Sequence, residues 1–290
     1  MKSVLAVHDY PHQHWVGDGF AVQSMYAHLN FTQQISPFLM LDYAAPRHFS
    51  PSSQPRGVGG HPHRGFETVT IVYRGEVEHR DSTGGGGVIR AGDVQWMTAG
   101  SGLVHDEFHS KAFTASGGDM EMVQLWVNLP AEHKMTPPRY QAITSNQIPE
   151  VELENEAGHV RIIAGAFARQ SGPASTFTPI NVWDLRLARD GVSHLDAPDG
   201  HNTTLLLLSG KLRLSGHDEV VQGPRLVQLS ERGAGLELTA LEDSTALLLS
   251  GEPIDEAIAS YGPFVMNTQA QIAEAIEDFN SGAFGRLPQG

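Results

Sequence analysis

The stretch GGHPHRGFETVT, at residues 59–70, holds two histidines one residue apart, followed four residues later by a glutamate. Side chains alternate between the two faces of a β-strand, so His61, His63 and Glu67 are predicted to share a face with the apolar residues of the strand that follows. Two unpaired imidazoles on an interior face would be costly to bury. A bound metal would satisfy them, so this stretch predicts half of a metal site.

A second histidine-rich stretch, GSGLVHDEFH at residues 100–109, supplies the other half. His105 and Glu107 are separated by one residue and follow a glycine turn, as the first pair does. Three neutral imidazoles and one carboxylate suit iron, nickel, manganese, copper or zinc, and they leave coordination positions open. The spacing alone leaves three roles for Glu67. Its parity allows it to act as a ligand in place of Glu107 or as a base beside the metal, and a structural bridge to Arg64 or Arg80 is equally compatible with the sequence.

The remaining histidines and the absence of cysteine narrow the chemistry further. With no cysteine in the sequence, disulfides, thiolate metal sites and cysteine nucleophiles are excluded. Histidines 8, 12 and 14 lie around a proline and are interpreted as loop residues. No chemistry is assigned to the histidines at positions 79, 109, 133, 159, 194, 201 and 217.

The overall composition describes a folded acidic protein. The chain has 290 residues with 19 basic and 33 acidic side chains, which gives a formal charge of −14. Such a charge disfavours direct binding to nucleic acid or to anionic membranes. The apolar run before His8 is too short for a signal-peptide core, and no run of about 18 apolar residues occurs. The sequence therefore predicts a cytoplasmic protein without a membrane span.

The elements that must position these side chains are short strands that occur twice. Glycine and proline, at 31 and 17 residues, separate short apolar runs, as is typical of an all-β protein. When the second half of the sequence is aligned on the first so that Gly210 falls on Gly75, NTTLLLLSGKLRLSG lies on ETVTIVYRGEVEHRD. This self-similarity predicts an internal duplication of one β-barrel unit.

The duplication suggests domain boundaries. We expect a metal-binding barrel at residues 1–135, a proline-containing linker at 136–150 and a metal-free barrel at 151–290. Near the C-terminus, NTQAQIAEAIEDFNSG has helical apolar spacing, a capping box at Thr268 and Gln271, and a stop at Gly282. One amphipathic helix lying on a sheet is predicted there, within the second domain.

The motifs resemble a known family. HxHxxxE followed by a glycine turn and a later histidine is similar to the paired motifs of cupins, which are double-stranded β-helix (jelly-roll) barrels. HPHRGFETVTIVYRGEVEHRDS, GVIRAGDVQWMTAGSGLVHDE and MVQLWVNLPAEHKMTPPRYQ resemble, more narrowly, the two-cupin pirin family. The resemblance implies one divalent metal per chain, most often Fe(II), with Ni, Mn, Co, Cu and Zn as alternatives. Its ligands would be His61, His63, His105 and Glu107, which favours Glu107 over Glu67.

The same resemblance implies a function. It implies a flavonol 2,4-dioxygenase (quercetinase) that opens the ring of quercetin or a related small aromatic compound with dioxygen and releases carbon monoxide, with Glu107 taking the substrate proton. Phe66, Trp96 and Met97 are candidate residues of the apolar cleft. The alternative is a non-catalytic regulator whose metal redox state controls binding to a protein partner.

The second copy lacks the ligand residues. In the alignment of the two halves, Asp196 and Pro198 occupy the positions of His61 and His63. The region that matches His105 falls near GLELTA, which contains no histidine. We therefore expect this barrel to be metal-free and to serve packing.

Overall fold

The computed structural model of the chain describes residues 1–10, 12–27 and 34–288. It is mostly β-structure, which confirms the predicted fold class. Helix α1 spans Lys111–Ser116 and helix α2 spans Gln269–Ser281, and 3-10 turns occupy Ala131–His133, Ser145–Gln147 and Glu154–Glu156. The strands are, in chain order, β1 (Val4–His8), β2 (His14–Val16), β3 (Phe20–Ala27), β4 (Phe38–Phe49), β5 (Gly57–His63), β6 (Phe66–Arg74), β7 (Glu76–Asp81), β8 (Gly86–Arg90), β9 (Val94–Thr98), β10 (Leu103–His109), β11 (Gly118–Asn128), β12 (Arg139–Ile143), β13 (Glu150–Glu152), β14 (Gly158–Ala164), β15 (Ala166–Phe167), β16 (Gln170–Ser171), β17 (Ile180–Leu187), β18 (Val192–Leu195), β19 (Asn202–Ser209), β20 (Lys211–Leu214), β21 (Val221–Gln222), β22 (Arg225–Leu229), β23 (Leu236–Ala240), β24 (Ser244–Gly251), β25 (Ala259–Tyr261) and β26 (Phe264–Met266).

The chain folds into two compact units, each built from discontinuous segments. The unit made of residues 12–27, 38–145 and 254–288 contains both histidine-rich stretches, and we call it the histidine unit. The unit made of residues 1–10, 34–37 and 146–253 has a leucine-rich core, and we call it the leucine unit.

This division differs at both chain ends from the continuous domains expected from the sequence. Strand β1 belongs to the leucine unit because it pairs with β22 at the edge of that unit's large sheet. Helix α2 belongs to the histidine unit. The segment interpreted as a linker carries strand β12, which extends the large sheet of the histidine unit by pairing with β9.

The two units share one topology apart from one edge strand, since β12 follows the other strands of its sheet in the chain whereas β1 precedes those of its sheet. The histidine unit has a seven-stranded sheet in the order β12-β9-β6-β11-β4-β3-β2 and a four-stranded sheet in the order β5-β10-β7-β8. The leucine unit repeats this pattern with β1-β22-β19-β24-β17-β14-β13 and β18-β23-β20-β21. The same strand order twice is the structural form of the predicted duplication.

The predicted C-terminal helix is present with both of its predicted ends. The Thr268 side chain accepts a hydrogen bond from the Gln271 backbone N–H, and the Gln271 side-chain oxygen accepts one from the Thr268 backbone N–H, which completes the capping box. Gly282 ends the helix in the left-handed conformation, with φ of 85°. Ile272 and Ala275 are buried against the β25–β26 hairpin, so the helix covers a two-stranded sheet within the histidine unit.

Candidate metal centre

Two neighbouring antiparallel strands bring three histidines together. In the β5–β10 register, His105 lies directly opposite His61, and Leu103 lies opposite His63. The His105 ring centroid is 4.3 Å from that of His61 and 4.8 Å from that of His63, and the two rings of the HxH pair are 4.9 Å apart. One nitrogen from each ring can lie within 4.8 Å of the others, which is a spacing suited to one shared cation.

The nitrogens of this triad are available as ligands. The Nδ1 atom of His61 contacts the Gly59 carbonyl at 2.9 Å, so its Nε2 atom is the one left for a cation. The Nδ1 atom of His63 and the Nε2 atom of His105 are buried with no hydrogen-bond partner among the described residues. A buried polar atom without a partner costs about 1–3 kcal/mol, and a metal ion would remove that cost.

The electrostatics around His63 and His105 favour neutral rings. Burial lowers the pKa of both His63 and His105 well below the usual value, and the neighbouring imidazoles act in the same direction. A neutral imidazole keeps one nitrogen lone pair free for a metal. The donor chemistry of the three residues therefore fits a divalent cation of the zinc, nickel or iron type.

Glu107 lies beside the triad, on the same strand as His105. Its carboxylate accepts hydrogen bonds from Thr70 at 3.2 Å, from Gln95 at 3.0 Å and from Gln124 at 2.8 Å. A carboxylate has about four lone-pair positions, so three donors leave one free. Glu107 forms a second potential metal-binding group with His79 and His105.

His79 is a member of this site to which sequence reasoning assigned no chemistry. Its side chain is fully buried, its Nδ1 atom is 3.2 Å from the Nδ1 atom of His105, and it lies directly opposite Glu107 in the β7–β10 register. The alternation in EVEHRD carried a signal, because buried and partly buried residues alternate along β7 and His79 shares the buried face with Val77. The charged neighbours Glu78 and Arg80 made the segment read as exposed, so the sequence did not indicate that His79 is buried.

Asp81, two residues beyond His79, is a firmly held carboxylate. One of its oxygens accepts from the Thr83 backbone at 2.8 Å, the Thr83 hydroxyl at 2.6 Å and the Gly85 backbone at 3.0 Å, and the other lies 3.2 Å from His79 Nε2. Burial alone would raise the pKa of Asp81, but the hydrogen bonds from His79, Thr83 and Gly85 outweigh burial and lower it to about 2. The barrel interior thus holds an ionised carboxylate next to an imidazole.

Glu67 lies on the opposite face of its sheet from the triad, so the predicted shared face is wrong. Gly65, with φ of 88°, separates β5 from β6 and interrupts the alternation on which the prediction rested. Inside the barrel, β6 presents Thr70 to Glu107, which puts Glu67 on the other face, where it accepts a bond from Thr98 at 2.7 Å. Burial raises the pKa of Glu67 to about 7, although the bond from Thr98 acts in the opposite direction.

The three cleft candidates lie in different places. Phe66 contacts His63, with ring centroids 5.0 Å apart. Met97 lies inside the barrel and packs with Tyr140, whose ring stacks on His79 at 4.9 Å. Trp96 is on the same outer face as Glu67, because the residue before Met97 points the opposite way, so it does not line the histidine site.

A second aromatic residue, not selected from the sequence, completes the surroundings of His63. The Trp126 ring lies 4.3 Å from Phe66 and 5.4 Å from His63. Trp126 and Thr68 are paired across β11 and β6, so they share the interior face. The pairing of these two strands, which are distant in sequence, is what places Trp126 next to the histidine triad.

Two β-barrels of one topology, with inward-facing histidines in the first, define a two-domain cupin with a cluster able to hold a metal. Comparison with family models agrees: residues 19–127 match the model described as Pirin, and residues 182–285 match the pirin C-terminal cupin domain. This chain belongs to the pirin family.

Individual relatives extend over nearly the whole chain. A Pseudomonas aeruginosa protein named "putative quercetin 2,3-dioxygenase" is 53% identical over 286 residues, which cover 99% of each chain. A tomato pirin-like protein is 37% identical and is matched by 87% of this chain, over 83% of its own length. The crystal structure of a quercetin 2,3-dioxygenase from Acinetobacter baumannii superposes with a TM-score of 0.95 at 52% identity, covering 98% of this chain and 99% of that one.

No helix in residues 1–10, 12–27 and 34–288 has the length and apolar character needed to cross a membrane.

Proposed function

We propose that this protein is a metal-dependent dioxygenase that opens the ring of a flavonol such as quercetin, with one divalent metal, Fe(II) first among the candidates, held by His61, His63, His105 and Glu107. The observation that carries the proposal is the convergence of the three histidines, with two buried ring nitrogens that have no hydrogen-bond partner in the described part of the chain. The names of the Pseudomonas and Acinetobacter relatives support the choice of substrate class.

A divalent metal in this site would supply Lewis acidity and positions open to substrate and dioxygen. Glu107 would accept the proton of the flavonol 3-hydroxyl, because its carboxylate forms a potential metal-binding group with His105 of the triad. Hydrogen bonds from Gln95 and Gln124 hold that carboxylate in place before substrate arrives. Such preorganisation lowers the cost of aligning the acceptor with the hydroxyl.

The residues around His63 would bind the flat substrate. Phe66 and Trp126 present adjacent aromatic rings next to His63, and aromatic rings favour offset-stacked or edge-to-face contacts with one another. His61 is the partly exposed member of the triad, while His63 and His105 are buried. Substrate would therefore reach the site from the side of His61.

The test is aerobic turnover of quercetin by the Fe(II)-loaded protein. Equal amounts of oxygen consumed and carbon monoxide released are expected. Glu107→Gln should abolish turnover and lower metal affinity, whereas Glu67→Gln, which removes a buried carboxylate on the other face of the sheet, should keep the metal.

The outcome that contradicts the proposal is absence of carbon monoxide across a panel of flavonols with the metal site filled. If iron oxidation then changed the affinity for a protein partner, the function would be regulatory instead.

A further inference from the structure

Behind the histidine triad lies a chain of hydrogen bonds that the proposed reaction does not use. It begins at Asp81, whose Oδ1 atom accepts three hydrogen bonds from Thr83 and Gly85. A carboxylate that accepts three donors on one oxygen acts as an acceptor on the other as well. His79 Nε2, 3.2 Å from Asp81 Oδ2, must therefore carry the hydrogen in that contact.

The second nitrogen of His79 is consequently an acceptor. A neutral imidazole with a hydrogen on Nε2 has a lone pair on Nδ1. The Gln95 amide supports this assignment, because its nitrogen contacts both Glu107 and His79 Nδ1, at 3.0 Å and 3.3 Å. Its oxygen meanwhile accepts from the Tyr140 hydroxyl at 3.4 Å. The Gln95 amide thus offers a hydrogen, and not a lone pair, to His79 Nδ1.

The state of His79 determines the state of His105. Their Nδ1 atoms are 3.2 Å apart, and two bare nitrogens at that distance would repel each other. Because His79 Nδ1 carries no hydrogen, His105 Nδ1 must carry one. The lone pair of His105 is then on Nε2, which is the buried atom without a partner among the described residues.

We propose that Asp81, His79 and Gln95 are positioning residues that hold His105 in the tautomer with its hydrogen on Nδ1, so that Nε2 is the metal-binding atom. The inference rests on the metal site proposed above and is independent of the flavonol reaction. Hydrogen bonds to the remaining nitrogen of a metal-binding histidine typically change metal affinity about 10–100-fold when removed.

A different role for His79, as a direct ligand, is opposed by the same contacts. Both of its nitrogens are occupied, Nε2 by Asp81 and Nδ1 by Gln95 and His105. The Tyr140 ring, stacked at an interplanar angle of 13°, also holds the His79 ring in its plane. His79 has no free lone pair to offer a metal without losing one of these bonds.

The first experiment reads the tautomer directly. In the full-length protein loaded with Zn²⁺ and labelled with ¹⁵N-histidine, long-range ¹H–¹⁵N correlation should show His105 bound through Nε2, with a slowly exchanging hydrogen on Nδ1. Asp81→Asn should accelerate exchange of that hydrogen. Zn²⁺ bound through His105 Nδ1 would overturn the proposal.

The second experiment compares Zn²⁺ affinities by competition with a chromogenic chelator. His79→Leu and Asp81→Asn should weaken binding about 10–100-fold. His79→Asn should restore affinity to within a few-fold of wild type, because the asparagine oxygen can accept from His105 Nδ1. The control is His109→Gln, which removes another buried imidazole of β10, bonded to the Gly19 carbonyl, and should leave affinity unchanged.

Two results would contradict the proposed positioning role of Asp81, His79 and Gln95. One is equal affinity in wild type, His79→Leu and Asp81→Asn. The other is an equal loss in His79→Asn and His79→Leu together with one imidazole fewer in the Zn²⁺ X-ray absorption spectrum, which would make His79 a ligand. Thermal unfolding of each variant separates misfolding from these effects. A protein that failed to turn over flavonols would still give the same Zn²⁺ results, so the two proposals fail separately.

Discussion

The histidine unit and the leucine unit have the same strand order but opposite interiors. At the centre of the histidine unit, three paired strands place polar side chains inside the barrel, and these are Thr70, Gln95 and Gln124. The corresponding register in the leucine unit pairs three apolar residues, which are Leu205, Val227 and Leu248. In the alignment of the two halves that places Gly210 on Gly75, His79 likewise corresponds to Leu214.

This difference teaches that the barrel topology itself does not require a metal site. The apolar set of the leucine unit belongs to one continuous core that also includes Trp183 and Leu238. Burial of such side chains contributes about 1.5–3 kcal/mol each, which suffices to hold a barrel closed. In the histidine unit, the same positions hold hydrogen-bonding groups that contact Glu107 and His105, so this part of the interior surrounds the candidate metal site.

The largest effect should come from removing the histidines that only one unit possesses. His61→Ala combined with His63→Ala is expected to eliminate metal binding, because two of three converging imidazoles are lost. A ligand present at about 1,000 times its Kd stabilises a fold by about 4 kcal/mol, and the histidine unit should lose this contribution. Elemental analysis and thermal unfolding with added metal measure both effects.

His194→Ala is the control, since His194 is an exposed histidine of the leucine unit, with its side chain 63% exposed. Unchanged metal content in the double variant would show that the metal binds elsewhere.

A core substitution in the leucine unit should show the reverse pattern. Leu248→Ala opens a cavity in a fully buried position and is expected to cost about 2–5 kcal/mol in the free energy of unfolding. Metal affinity should be retained, since the residue belongs to the other unit. Urea unfolding and Zn²⁺ titration test the two statements.

Leu5→Ala, at a leucine that is 59% exposed in the same unit, should change stability by less than about 0.5 kcal/mol. A parallel loss of metal in Leu248→Ala would refute the separation of roles between the units.

A pH dependence should also distinguish the units. Burial raises the pKa of Glu67 from 4.5 to about 7, so the folded state holds this proton more tightly than the unfolded state. The contribution of Glu67 to the free energy of unfolding is therefore fully present below pH 4.5. It is lost as the pH rises to about 7, by about 3 kcal/mol in total. The neutral Glu67→Gln should abolish this decline and be the more stable protein at pH 8.

The leucine unit has Asn202 at the position that corresponds to Glu67, so no such decline is expected there. Glu219→Gln, at an exposed loop carboxylate, serves as control. Parallel stability curves for wild type and Glu67→Gln between pH 4 and 8 would contradict the prediction.

The smallest effect concerns the terminal helix. Thr268→Ala removes the side-chain acceptor of the capping box and should destabilise the histidine unit by about 1 kcal/mol. Hydrogen exchange across α2 and the β25–β26 hairpin would locate the effect. Ser281→Ala, at the other end of the helix, should change stability by less than about 0.5 kcal/mol. Destabilisation confined to the leucine unit would show that the helix supports the other barrel.

The sequence by itself determined the features that depend on neighbouring residues. The HxH and HxE pairs identified three histidines that do converge, and Glu107 lies beside them, because both pairs fall within unbroken strands. Thr268, Gln271 and Gly282 marked the helix ends, since capping involves residues within one turn. The repeated runs indicated two barrels because NTTLLLLSGKLRLSG aligns with ETVTIVYRGEVEHRD when Gly210 is placed on Gly75, which is a comparison that needs no structure.

Only the tertiary structure decided the features that depend on pairing between distant strands. Glu67 was misplaced because Gly65 turns the chain between β5 and β6, and alternation predicts a face only within one continuous strand. His79 joined the site through its register with Glu107, which lies on a strand well beyond it in the sequence. Strand β1, at the start of the chain, belongs to the leucine unit, and helix α2, near its end, belongs to the histidine unit. Edge pairing and apolar packing depend on proximity in space, which local sequence does not encode.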